Sequence, residues 1–83
     1  MIDKIEQIYK SINIYRSIII ANANEKRENL LQLRKELENN NHSPLIITNE
    51  NQINYNYRIF IITDINLLSF FDKNSYNLII IYS

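Results

Sequence analysis

Eighty-three residues are enough for one domain, and a chain of this length buries only about 60 to 65% of the surface its unfolded state exposes, which predicts modest stability. Nine basic residues against nine acidic ones leave no net field to draw the chain to nucleic acid or an anionic membrane, the lack of Cys removes disulfides, thiolate zinc sites and cysteine nucleophiles, and the lack of Gly removes both the Walker loop and the dinucleotide fingerprint. No apolar run approaches the roughly 20 residues of a membrane span and the opening residues read as no secretory leader, so a cytoplasmic, intracellular setting is expected.

Taken in order, Ile2, Ile5, Ile8 and Ile12 recur at three- and four-residue spacing with Lys4, Glu6, Gln7 and Lys10 between them, predicting an amphipathic helix over 2–14 that buries one stripe. Arg16-Ser-Ile-Ile-Ile-Ala-Asn22 predicts a first buried strand. Asn24 then reads as the N-cap of a helix over 25–39, with Glu25 and Glu28 at the positive end of its dipole and Leu30, Leu33 and Leu37 facing inward. Its remaining charges form a solvated face of weak ion pairs. Asn39 to Asn41 end the helix, since Asn tolerates the left-handed conformation usually given to Gly. The one histidine, His42, falls in the turn before Pro44 and is expected in solvent rather than on a metal.

Pro44 opens a short second strand over 45–48, where a missing N–H does least harm. Residues 49–57 show no helical period, and nine residues are fewer than a parallel crossover normally takes. Either the crossover is stripped to a short turn or the flanking strands are not parallel neighbours. A missing helix would leave part of one sheet face uncovered, with Ile53, Tyr55 and Tyr57 as the residues to patch it. Arg58-Ile-Phe-Ile-Ile-Thr63-Asp64 is a continuous β-branched run, the pattern of a strand covered on both faces. Residues 65–71 suit one or two helical turns pressing Leu67, Leu68 and Phe71 inward, 72–75 form a turn, and 76–83 hold the last strand. The alternation α-β-α-β-β-α-β predicts a three-layer α/β sandwich, Rossmann-like or RecA-like, with a small, mainly parallel four-stranded sheet.

Chemistry has few candidates. Asp64 and Asp72 flank one short helical segment and have the residue type for Mg²⁺, but the stronger reading makes each a cap of its own turn, so no metal and no cofactor are expected. For RNA, Arg16, Lys26, Arg27, Arg58 and Lys73 lie nearest the strand ends or loops, and Tyr55 and Tyr57 have rings that stack on bases, although core or interface burial explains those rings better. For protein binding, the signals are the missing cover helix, an excess of Ile, and a last strand that leaves an unpaired edge. Ile53, Tyr55, Tyr57 and Tyr82 are the interface candidates.

These strings, in this order from about residue 3 to 82, resemble the second RecA-like domain of DEAD-box RNA helicases, nearest to the translation-initiation branch. Ser17-Ile-Ile-Ile-Ala-Asn22-Ala23 is similar to motif IV, with Ala23 where the family has Thr. Arg58-Ile-Phe-Ile-Ile-Thr63-Asp64 resembles the opening of motif V, whose closing Arg-Gly-Ile-Asp is reduced to Ser69-Phe70-Phe71-Asp72. Leu78-Ile-Ile-Ile-Tyr82 is similar to the family's Val-Ile-Asn-Tyr strand. The resemblance implies RNA contacts at Asn22, Arg58, Thr63 and Asp64 and a nucleotide-ribose contact at Asp72. The RNA-touching helix, the phosphate loop, the acidic metal-binding box and the arginine finger have no counterpart in these residues. The expectation is therefore a minimal, non-catalytic helicase-like domain over 1–83 that binds a protein partner or a second copy of itself in RNA metabolism or translation, with weak single-stranded RNA binding as the alternative.

Overall fold

β-branched side chains fit a pleated surface, and where both faces are covered they fill it without alternation. In the computed structural model, which describes residues 2–11, 16–72, 74–76 and 78–82, the isoleucine runs form β1 (Ser17–Ala21), β2 (Pro44–Ile46), β3 (Ile59–Ile62) and β4 (Leu78–Tyr82). All neighbours pair in parallel, in the order β2-β3-β1-β4. Between the strands run α1 (Ile2–Lys10), α2 (Arg27–Asn39) and two 3₁₀ segments, Glu50–Gln52 and Ile65–Phe70. The fold is α/β with a small four-stranded parallel sheet, compatible with a Rossmann-like architecture, as the alternation predicts.

Register divides the strand residues between two faces. On one, Ile19, Ile61 and Ile80 lie side by side and pack beneath Ile5 and Tyr9 of α1 and Leu30, Leu33 and Leu37 of α2. On the other, Ile18 and Phe60 meet Leu67, Phe71 and Tyr76, with Ile47 alongside. The first face thus lies under two α-helices and the second under 3₁₀ turns and aromatic rings. α2 carries the chain from β1 past β3 to the far edge at β2. The return from β2 to β3 and then on to β4 runs over the opposite face. Reversing direction and face together keeps one crossover hand.

Boundaries differ from expectation in both helices, and the alternative left open at 49–57 is decided. The first helix is described only to Lys10, with Ser11 in a turn, so the expected Ile12 contact lies outside the described residues. α2 starts at Arg27 with Lys26 as its N-cap and no capping side chain, because Asn22 accepts the Asn24 N–H at 2.8 Å and commits that stretch to a turn of its own. Asn24 is therefore not the cap. The 49–57 link resolves as a short turn between parallel neighbours: β2 stops at Ile46, so the crossover spans 47–58, and Asn49 accepts from Asn51 N–H at 3.0 Å while Gln52 Oε1 accepts from Asn49 N–H at 3.3 Å. The helix ending held as expected. Asn41 sits at φ 69°, the His42 N–H reaches the Leu37 carbonyl at 3.0 Å and the Asn41 N–H reaches that of Glu38 at 3.1 Å, the paired bonds of a Schellman ending.

Candidate functional site

Parallel strands put all their carboxyl ends on one side, and ligands of open α/β sheets bind where adjacent strands send their connections to opposite faces. Here that point lies between β1, which leaves under α2, and β3, which leaves under the second 3₁₀ segment. Asn22 follows β1, and Thr63 and Asp64 follow β3, so three of the four predicted RNA residues come together at this edge. Their polar atoms are partly engaged locally. Asp64 Oδ1 accepts from Asn66 N–H at 3.0 Å as the cap of the 3₁₀ segment, and Thr63 is half-buried. Arg58 precedes β3, at the opposite end of the sheet. It is exposed there, beside a hollow shared with Asn41, His42, Ser43, Asn56 and Tyr57.

Asp72 serves a different turn from Asp64. Its Oδ1 accepts from Asn74 N–H at 2.9 Å and its Oδ2 from the Ser75 hydroxyl at 3.2 Å, which makes it the cap of the turn before β4. The capping reading of both acids holds, each carboxylate accepting from its own turn. Among the described residues no group of three or more His, Asp or Glu side chains could hold a metal ion. Nor is any described helix long and apolar enough to cross a membrane.

His42 is not in solvent. Its side chain is 14% exposed, its Nε2 lies 3.0 Å from Glu6 Oε1, and its ring meets Tyr9 edge-on at 5.0 Å between centroids. Arg16 is likewise spent inside the fold. It donates from Nη2 to the carbonyls of Tyr55 and Tyr57, the latter at 3.3 Å, and to the Tyr76 hydroxyl at 3.0 Å, with its guanidinium 4.9 Å from the Tyr76 ring centre. The Tyr76 hydroxyl donates in turn to the Tyr57 carbonyl at 2.9 Å. This knot fixes the 49–57 link where the absent helix would lie. Lys26 and Arg27 stay exposed at the start of α2, and Lys73 lies outside the described residues.

Of the interface candidates, Ile53 and Tyr57 pack partly buried against the second face, patching it as expected. Tyr82 packs partly buried against the first face. Tyr55 is 52% exposed, with its hydroxyl donating to the Phe70 carbonyl at 3.0 Å. The larger exposed apolar side chains of the sheet were missed: Ile79 at 54% and Ile81 at 64% exposure, both on β4. They share the second face with Ile18 and Ile20, their register partners on β1. The last strand lies at an unpaired edge as expected, since among the described residues β4 pairs only with β1, but a run of isoleucines gives no sign of which of its side chains that edge leaves in solvent. No family model matches this sequence, and no curated protein and no solved structure matches it.

Proposed function

We propose that this chain is a non-catalytic, helicase-like RecA-type domain that acts by binding protein, another chain or a second copy of itself, in a cytoplasmic setting of RNA metabolism or translation. The observation that carries the binding reading is the pair Ile79 and Ile81, more than half exposed on an uncharged edge strand beside a face that, among the described residues, lies under 3₁₀ turns and aromatic rings rather than an α-helix. The helicase-like part rests on the order of the strings similar to motifs IV and V. The experiment is retention of proteins from a native lysate by the immobilised chain beside its Ile79→Lys variant. Retention lost with the lysine agrees with the reading; identical retention by both, or none by either from a chain that sediments as a monomer, overturns it. With no phosphate loop in the sequence, purified protein is expected to turn over no ATP, and turnover abolished by Asp64→Ala would refute the non-catalytic assignment.

A second reading, weak binding of single-stranded RNA, is favoured by the meeting of Asn22 with Thr63 and Asp64 at the carboxyl edge of β1 and β3. Zero formal net charge argues for low affinity. Salt-sensitive RNA retention lost in Thr63→Ala would support it. Because Arg58 lies at the other end of the sheet, loss in Arg58→Ala alone would place any RNA elsewhere.

A further inference from the structure

We propose, resting on the binding reading above, that the partner is a second copy of this chain, joined by antiparallel pairing of β4 with β4 about a two-fold axis at Ile80. Among the described residues β4 pairs only with β1, so its outer row of backbone groups faces away from the sheet. Its sequence, Leu-Ile-Ile-Ile-Tyr, holds no charge and no proline, the usual devices that blunt an edge. The other edge does carry such devices. β2 is three residues long and begins with Pro44, which has no N–H to donate. With one edge blocked and one open, pairing closes at two copies instead of propagating.

The strand is also self-complementary about its middle residue. Antiparallel pairing centred on Ile80 sets Leu78 opposite Tyr82 and Ile79 opposite Ile81 of the second copy, and opposed residues share a face. Ile79 and Ile81 of both copies then form one apolar patch on the second face, and no like charges are opposed. Ile79 also rims a hollow of about 130 Å³ lined with Ile18, Leu68, Phe71, Asp72 and Tyr76. The pairing brings Ile81 of the second copy to that rim. A foreign strand would gain the backbone bonds but not this symmetric match of side chains, and a two-fold contact of this kind uses the same surface on both copies.

The test is sedimentation of the purified chain across a wide concentration series, beside Ile81→Lys. The unsubstituted chain is expected to be a dimer. The lysine variant, altered at a solvent-facing position, is expected to keep its circular dichroism and weaken the dimer by on the order of 30-fold or more, as for loss of a central anchor. A second measurement fixes the register. The chain has no Cys, so Ile79→Cys and Ile81→Cys are clean reporters, and a mixture of the two is expected to form an intermolecular disulfide far faster than either alone. A dimer untouched by the lysine, or cysteines that crosslink equally well unmixed, overturns the β4 assignment. A monomer at every concentration overturns the second copy as partner. If that monomer still retains lysate protein through Ile79, the binding reading survives the loss; if it retains none, both fail.

Discussion

The Tyr9 hydroxyl and the Ser17 hydroxyl lie 2.8 Å apart in the interior, where Ser17 is fully buried at the start of the central strand. A buried hydroxyl without a partner costs more than its hydrogen bond contributes when made, because water is no longer there to replace it. Tyr9→Phe is therefore expected to lower stability by about 1 to 3 kcal/mol in urea unfolding, although it removes one oxygen and no packing volume. The pair is coupled, so Tyr9→Phe with Ser17→Ala should cost less than the sum of the two single changes. A purely additive result would show that the bond contributes nothing. Arg16 makes a matching case on the other face. Arg16→Met keeps the apolar stem but removes the donors that hold the Tyr55 and Tyr57 carbonyls and the charge over the Tyr76 ring, and is expected to cost about 1.5 to 3 kcal/mol. Its amide exchange should rise first in 49–57, the link that this side chain fixes. Neither role was legible in the sequence: Ser17 stands among isoleucines, and Arg16 reads as any basic residue beside a strand until the chain returns some 40 positions later to meet it.

α2 shows how far local reading reaches. Its leucine stripe and its ending were legible, because both follow from residues within one or two turns: Leu30, Leu33 and Leu37 by helical spacing, and Asn41 by its tolerance of positive φ. Its start was not, because Asn22 and Asn24 compete for the same local bonds, and the turn they form moves the first helical residue to Arg27. The consequence is measurable. Lys26 occupies the N-cap with extended backbone and no side-chain acceptor, so Lys26→Ser supplies a missing acceptor and removes a positive charge from the positive end of the dipole. A gain of about 1 kcal/mol is expected in thermal unfolding. Asn24→Ala, by contrast, is expected to stay within about 0.5 kcal/mol of the unsubstituted chain, like other exposed substitutions. A loss near 1 kcal/mol in Asn24→Ala would restore Asn24 as the cap. The 3₁₀ link lies beyond this kind of reading, since its few residues carry no period and its geometry rests on Gln52 folding back to Thr48 and Asn49.

At the scale of the molecule the two faces of the sheet are unequal. One is covered by two α-helices, while the other has 3₁₀ turns and rings that cover β3 but leave Ile79 and Ile81 of β4 in solvent. Runs of isoleucine revealed the sheet, yet strand order decides which isoleucines are covered, and order is set by crossovers that the sequence leaves implicit. A chain this small has little stability to spare, so covering the open face by association should contribute visibly to thermal unfolding. If the β4 dimer is the folded species, unfolding also dissociates it, and each tenfold increase in concentration above the dissociation constant adds about 1.4 kcal/mol per dimer. Spread over an unfolding entropy of about 2.1 cal/mol/K for each residue of two chains, that raises Tm by roughly 4 °C per tenfold. Calorimetry at several concentrations measures it directly. In Ile81→Lys the slope is expected to set in only at concentrations roughly 30-fold higher, with Tm below them near the dilute limit of the unsubstituted chain, because the lysine weakens association and leaves the core untouched. A Tm independent of concentration in both proteins would mean that the exposed isoleucines add no stability through a second copy, and that the uneven cover of the sheet is sustained by the monomer alone.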